Sequence, residues 1–163
     1  MNLKLFPSSL MTLCDKAISI LQFENEILEE MREVISKVAE ENAIHPNRCD
    51  TGDYIMKTTI EVFESLMKGN QADIEDYNKL KRLVENDTFD QMEINIFLRV
   101  IKRKIGDCEK SIQDMSTHYD LFRKEDYILA DMIEYRIETE RQIIALGQEL
   151  LREYKPKTRV NTH

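Results

Sequence analysis

Apolar residues recur along the first quarter of the chain with the spacing of a helix. Three sets, each with members seven or fourteen residues apart, would lie side by side on one helix face. They are Cys14, Leu21, Leu28 and Ile35; Leu13, Ile20, Ile27 and Val34; and Ala17, Met31 and Val38. We predict a helix from about 9 to 42, capped by Ser8 or Ser9 after Pro7. Such a helix would extend roughly 50 Å, which indicates an elongated bundle or coiled coil.

Glu24 occupies the one position of the third set where an apolar residue is missing. One interpretation is a polar residue that sets the helix register, or a helix end where the seam meets water. The other is a buried carboxylate that pairs with a partner's cation. No histidine lies near Glu24 on the helix, which weakens a metal-binding interpretation. The sequence therefore marks Glu24 as a candidate polar seam residue.

The same periodicity continues through the rest of the chain. We predict further helices over about 51–68, 72–84, 88–122 and 125–154. We interpret Gly69 and Asn70 as a C-terminal stop of the 51–68 helix. We interpret Thr88 and Gln91 as a capping box at the start of the 88–122 helix. In the last helix we expect Gly147 to be a small contact residue.

The helix predicted over 88–122 has the most regular apolar seam, in which residues alternate by four and three over four heptads. The seam consists of Ile94, Leu98, Ile101, Ile105, Cys108, Ile112, Met115, Tyr119 and Phe122. Gly106 lies off this seam, so we expect the helix to pass through it, at a cost of about 1 kcal/mol relative to alanine. A break there, with Asp107 as a new N-cap, is the alternative.

Composition supports an all-α fold. The chain of 163 residues has only four glycines and three prolines, while 42% of its residues are apolar and 33% are charged. So few turn-forming residues favour a small number of long helices. We predict an elongated helical bundle with coiled-coil-like packing and four to six helices. It would form a single domain over 1–154, followed by a disordered polar tail over 155–163 that begins near Pro156.

Charge and cysteine usage limit the function classes. The net charge of −8 argues against a nucleic-acid-binding surface over the whole domain. The three cysteines include no CxxC pair, and free thiols fit a reducing cytoplasm. The chain contains no run of 18 apolar residues, so no transmembrane helix is predicted. We therefore expect a cytoplasmic protein without a membrane association.

Residues 45–54, HPNRCDTGDY, hold most of the reactive residue types. The Asp50-Thr51-Gly52 tripeptide lacks the preceding apolar strand and the second copy that an aspartic protease needs. A hydrolase or metal site formed by residues 45–53 is a remaining alternative, although the spacing matches no familiar ligand set. The favoured interpretation is a helix stop at Pro46 followed by a helix that Asp50 or Thr51 begins. The turn would then be an exposed tip that contacts a partner through His45, Arg48, Cys49 and Asp50.

A basic cluster lies beside the seam of the 88–122 helix. Its members are Arg99, Lys102, Arg103 and Lys104. A solvated helix face and a docking site for an acidic partner are the two interpretations, with nucleic acid less favoured. The first 64 residues contain 12 acidic and 6 basic side chains, a net charge of −6. The acidic end could be drawn to the basic cluster within one chain or in a dimer.

The segment KEDYILADMIEYRIE, over 124–138, resembles a C-terminal helix of uncharacterised all-helical proteins from Gram-positive bacteria, some associated with flagellar or secretion loci. The resemblance rests on a "DYxLADxxEY" pattern formed by Asp126, Tyr127, Leu129, Ala130, Asp131, Glu134 and Tyr135. It covers about 15 residues. The family usually has an acidic residue after the last tyrosine, whereas this chain has Arg136. The resemblance implies an all-helical fold and no particular chemistry.

The sequence thus predicts a non-catalytic, cytoplasmic helical bundle that binds another protein, as a chaperone, adaptor or inhibitor would. A self-associating structural coiled coil is the second hypothesis, with a homodimer as its simplest form. No cofactor is expected. ExxE pairs occur without the later ExxD of helical pyrophosphohydrolases, and the ExxH motif of di-iron bundles is absent.

Overall fold

The computed structural model describes residues 5–47, 50–85, 90–122 and 127–154. These residues form four helices: α1 (Phe6–Ala43), α2 (Asp50–Val84), α3 (Gln91–Phe122) and α4 (Tyr127–Glu153). The prediction of an all-α helical bundle is therefore confirmed. Among the described residues, no helix is both long and apolar enough to span a bilayer. The predicted tail over 155–163 lies outside the described residues.

The helices form two antiparallel hairpins, α1 with α2 and α3 with α4, and α1 also packs against α4. One apolar cluster joins the N-terminal halves of α1 and α3 to the C-terminal halves of α2 and α4. A second cluster joins the opposite halves of the same helices. Successive helices therefore run in opposite directions, and the core has two apolar ends. The predicted seam of α3 supplies Ile94, Leu98, Ile101 and Ile105 to the first cluster.

The start of α1 differs from the prediction. The helix begins at Phe6 after Leu5, and no side chain caps it, although Pro7 lies in its first turn as helix N-termini favour. Neither Ser8 nor Ser9 is the N-cap. Instead, the Ser9 hydroxyl lies 3.1 Å from the Tyr154 hydroxyl, while the rings of Phe6 and Tyr154 meet edge to face at 5.0 Å. The two chain ends are thus held together by tertiary contacts, which local capping rules do not describe.

The predicted stop at Gly69 and Asn70 is wrong, because α2 runs without interruption from Asp50 to Val84. No described glycine has the positive φ that a glycine C-cap adopts. Gly69 is exposed on the helix surface, while Asn70 is fully buried and bonds to residues of α1. The role of Asn70 is therefore to form buried hydrogen bonds inside the bundle, and not to end a helix.

The start of α3 is capped two residues later than predicted. Thr88 lies outside the described residues, and Gln91 is the first residue of the helix rather than its third. Asp90 accepts a hydrogen bond from the Glu93 amide at 2.8 Å, and Glu93 accepts one in return from the Asp90 amide at 3.4 Å. This reciprocal pair is a capping box with aspartate as its first member. The helix continues through Gly106 as predicted.

Gly147 is buried where α4 crosses α3, as a small contact residue should be. A Cβ atom added there would lie 2.8 Å from Ile105 Cδ1 and 3.2 Å from Ile101 Cγ2. Both distances are shorter than ordinary van der Waals contact, so the absence of a side chain permits the close approach of the two helices. The predicted contact role of Gly147 is confirmed by this geometry.

Candidate functional site

A layer of buried polar side chains crosses the bundle between its two apolar clusters. Glu24 of α1 and Asn70 of α2 are fully buried, and Arg136 and Glu140 of α4 are less than a tenth exposed. Glu24, Asn70 and Glu140 each lie between the first-cluster and second-cluster residues of their own helix, and Arg136 lies beside Ile137, the last second-cluster residue of α4. The layer is therefore a cross-section of the molecule where apolar packing gives way to hydrogen bonds.

Arg136 is the centre of this polar layer. It donates to Glu24 Oε1 at 2.9 Å, and it also donates to Asn70 Oδ1 and Glu140 Oε1. Asn70 Nδ2 donates to Glu24 Oε1 and to Asn25 Oδ1, each at 2.9 Å. Three helices are thus joined through one guanidinium, whose planar set of donors suits several acceptors at once.

The electrostatic balance of the layer depends on that single cation. Burial lowers the pKa of Arg136, but Glu24 and Glu140 raise it more, so the net shift is upward and the side chain stays charged. Glu24 Oε2 is buried and has no hydrogen-bond partner among the described residues. Two buried carboxylates therefore share one buried cation, and removing it would leave both without a counter-charge.

A cavity of about 250 Å³ opens beside the polar layer, between α2, α3 and α4. Its lining includes Asp73, Tyr77, Lys104, Cys108, Arg136 and Glu140. Most of its polar groups are already engaged. Lys104 Nζ lies 5.0 Å from the centre of the Tyr77 ring, and the Cys108 thiol bonds to the Glu140 carboxylate.

No group in this cavity is set up as a nucleophile. Burial, followed by the bond to Glu140, raises the pKa of the Cys108 thiol, which disfavours the reactive thiolate. Burial likewise raises the pKa of Cys14, to about 11. Among the described residues, no group of three or more histidine, cysteine, aspartate or glutamate side chains could hold a metal ion.

The second feature is an apolar surface on α1. The first predicted set, from Cys14 to Ile35, is buried throughout, but the other two lose their burial toward the C-terminal end of the helix. Val34 is 55% exposed and Val38 50% exposed, so two of the three apolar sets reach solvent at this end of α1. The reason is that Ile35 is the last buried residue of α1, which continues to Ala43.

Phe23, which is 57% exposed, and the half-buried Ile27 extend this surface toward the middle of the helix. The spacings between Phe23, Ile27, Val34 and Val38 are four, seven and four residues, so the four side chains lie along one helix face. We call these four residues the α1 apolar face. Asn25 and Arg32, which bond to α2, project from the other side of α1.

The α1 apolar face has an acidic rim. Between positions 26 and 41, α1 carries six glutamates and two basic residues, Arg32 and Lys37. Arg32 is already paired with Glu29 of its own helix and with Glu64 of α2, the latter at 3.5 Å. Glu30 and Glu41, both exposed, lie on the same side of the helix as the α1 apolar face.

The predicted basic cluster is divided by the structure. Arg99, Lys102 and Arg103 are exposed on α3. Lys104 is half-buried and turns toward α2, where its ammonium group lies 3.8 Å from Asp76 and packs over the Tyr77 ring. Lys104 thus belongs to the interior between α2 and α3 rather than to the surface cluster.

The turn between α1 and α2 retains the predicted stop and start. The first helix ends at Ala43, His45 is exposed, and α2 begins at Asp50. Asn42 donates to Asp53 Oδ1 at 2.5 Å and so joins the two helix ends. Arg48 and Cys49 lie outside the described residues. Of the site suggested for residues 45–53, the described part shows a helix start with two aspartates in its first turn, where the helix dipole favours them.

Sequence reasoning identified Glu24 but missed Asn70 and Arg136, which bond to it, and Glu140, which bonds to Arg136. A signal was present for two of them, because Arg136 and Glu140 continue the four-and-three spacing of the buried residues Ile143, Gly147 and Leu150. Two charged residues in register with a buried seam indicate a polar layer. The position where the chain departs from the "DYxLADxxEY" pattern is Arg136 itself.

Comparison with known proteins gives no further guide to the site. No protein-family model matches the chain, and neither the curated proteins nor the solved structures include one with significant similarity to it.

Proposed function

We propose that this protein is a non-catalytic binding module that holds an amphipathic helix of a partner protein against the α1 apolar face. The observation that carries the proposal is the exposure of Phe23, Val34 and Val38, each at least half accessible, along one line of a long rigid helix. Exposed apolar residues that follow a helical repeat are typical of surfaces that receive a partner helix.

The spacing of this face favours a helix over an extended peptide. Residues four and seven apart follow the repeat by which two helices pack side by side. Val34 and Val38 would provide the contacts near the α1–α2 turn, and Phe23 would provide a large aromatic anchor near mid-bundle. Aromatic side chains are common among the residues that dominate binding energy.

The acidic rim determines the chemistry of the partner. With Arg32 engaged by two glutamates, Lys37 is the other basic residue among six glutamates between positions 26 and 41, so the net charge along this stretch of α1 is negative. A partner helix with apolar seam residues flanked by lysine or arginine would therefore be attracted, and one flanked by glutamate would be repelled. The buried polar layer supports the same function indirectly, because a hydrogen-bonded cross-section restricts how the helices beneath the surface can slide.

The direct test is binding of synthetic helical peptides to the full chain, measured by fluorescence anisotropy. A peptide of about 21 residues with leucine at the seam and lysine at the flanks should bind. The same seam flanked by glutamate should bind at least about tenfold more weakly. Equal binding of the two peptides would contradict the charge argument, and no binding of either would contradict the function.

Variants locate the surface. Val34→Glu combined with Val38→Glu should weaken binding of the lysine-flanked peptide at least about tenfold, because charge replaces apolar contact at two central positions. The matched control is Leu83→Glu, since Leu83 is 60% exposed but lies on α2, away from the α1 apolar face. The control should bind as the wild type does. Equal loss in both variants would mean that the surface is placed wrongly.

A further inference from the structure

A surface of the complementary kind lies on α3 of the same chain. Met92 is 69% exposed and Ile96 is 52% exposed, and both are followed along the helix by exposed basic residues. The surface consists of Met92, Ile96, Arg99, Arg103 and Lys110. Their spacings are four, three, four and seven residues, so they share one side of α3. We call these five residues the α3 basic face.

The α3 basic face points away from its own bundle. The buried seam residues Ile94, Leu98, Ile101 and Ile105 lie on the opposite side of the helix. No described residue forms an ion pair with Arg99 or Arg103, in contrast to Lys104, which is held by Asp76. The two arginines are therefore available to a carboxylate outside the chain.

The two faces are similar in length and complementary in charge. The α1 apolar face extends over 15 residue steps from Phe23 to Val38, about 23 Å of helix, and the α3 basic face over 18 steps from Met92 to Lys110, about 27 Å. The α1 apolar face has four apolar residues spaced by four, seven and four, and the α3 basic face has two, spaced by four. One is bordered by glutamates and the other contains two arginines and a lysine. The α3 basic face thus offers two apolar residues and three cations to the α1 apolar face and its acidic rim.

We infer that the partner helix is α3 of a second copy of this chain. This inference rests on the proposed function, to which it adds the identity of the occupant. Val34 and Val38 of one copy would pack against Met92 and Ile96 of the next, and Arg99 and Arg103 would meet the glutamates of the rim. Within one chain the contact cannot form, because both helices already have their buried sides in the same bundle.

The contact is heterologous, because it joins two different surfaces. Each copy therefore has one of each face, and contacts of this type continue from copy to copy until a ring closes or a filament forms. This distinguishes the inference from an ordinary twofold dimer, in which one surface meets itself. The assembly should also weaken with salt, because part of its stability comes from exposed opposite charges.

Two complementary variants test the inference by sedimentation velocity. The first, Val34→Glu with Val38→Glu, blocks the α1 apolar face. The second, Ile96→Glu with Arg99→Glu, blocks the α3 basic face. The wild type should grow in mass with concentration beyond two copies, and its association should weaken by about tenfold or more between about 0.05 M and about 0.5 M NaCl. Each variant alone should be a monomer with wild-type helicity by circular dichroism.

Mixing the two variants should then give a 1:1 complex and nothing larger, because the mixture has one intact face of each kind. Leu83→Glu should assemble as the wild type does. A wild type that stays monomeric, a variant that still assembles alone, or a mixture that does not associate would overturn the inference. If the lysine-flanked peptide binds while copies of the chain do not associate, the identification of a second copy as the partner is wrong and the proposed function stands. If the peptide also fails to bind, the proposed function is wrong.

Discussion

Replacing Arg136 tests the electrostatic account of the polar layer. Arg136→Met keeps most of the apolar volume of the side chain but removes the cation that Glu24 and Glu140 share. Both carboxylates are at least nine-tenths buried, so neither gains much water in exchange. Removing one partner from a buried ion pair costs about 3–5 kcal/mol. We expect a loss of this size in the free energy of unfolding.

Urea unfolding followed by circular dichroism at 222 nm measures this loss. With a urea dependence of about 2 kcal/mol per molar for a domain of this size, the midpoint should fall by about 2 M. The control is Arg141→Met on the same helix, because the Arg141 side chain is 64% exposed and lies 3.9 Å from Glu138. An exposed pair of this kind contributes little, so the control should change stability by about 0.5 kcal/mol or less.

A triple replacement separates a lost pairing from a lost shape. Glu24→Leu and Glu140→Leu, added to Arg136→Met, remove the two carboxylates together with the cation. The triple variant should recover to within about 2 kcal/mol of the wild type, because no uncompensated charge is left. A loss below about 1 kcal/mol for Arg136→Met, or a triple variant weaker than the single one, would refute the reasoning.

Four further substitutions test local features, each by unfolding measurements. Gly147→Ala should destabilise the protein by about 1–3 kcal/mol, because the added methyl group lies 2.8 Å from Ile105. Gly106→Ala places its methyl group where no atom lies within 4 Å, so it should stabilise the protein by up to about 1 kcal/mol. Asp90→Ala removes the cap of α3 and should cost about 1 kcal/mol in urea unfolding. Burial raises the pKa of Asp73, so the stability of the protein falls as pH rises through the raised pKa. Asp73→Asn should therefore raise Tm by up to about 3 °C at neutral pH but not at acid pH.

Each of these expectations has a clear contrary result. Equal effects of alanine at Gly147 and Gly106 would mean that α3 and α4 do not approach closely. An unchanged midpoint for Asp90→Ala would mean that α3 is held only by its packing. A lower Tm for Asp73→Asn at neutral pH would mean that the carboxylate is stabilised by its neighbours Lys104 and Arg136 more than burial penalises it.

The sequence predicted those parts of the fold that local periodicity determines. The first set of α1 and the seam of α3 from Ile94 to Tyr119 both follow a regular apolar spacing, and both pack into the two apolar clusters. Gly106 could be predicted as helical because it interrupts no seam. Gly147 could be predicted as a contact because it lies between buried residues of α4. In these cases one helix contains the information that decides the outcome.

The errors concern residues whose roles depend on another helix. The local sequence Gly69-Asn70 is typical of a helix end, but in the structure the Asn70 side-chain amide donates to the buried Glu24 on α1. Ser9 after Pro7 is typical of an N-cap, but in the structure its hydroxyl lies beside the Tyr154 hydroxyl. The exposure of Val34 and Val38, on which the sequence made no prediction, depends on where the neighbouring helices cover α1. The same limit applied to Arg136, whose importance follows from its three acceptors on three helices.

The central claim is that the α1 apolar face is where this protein is bound, and site-specific photo-crosslinking tests it most directly. A benzophenone amino acid is placed at Val34 in one sample and at Leu83 in another, and the full chain is irradiated in cells of its source. The account predicts a discrete adduct from position 34, with the crosslinked peptide belonging to a helix with basic flanks, and none from position 83. Adducts of equal yield from both positions, or an adduct from position 83 alone, would contradict it.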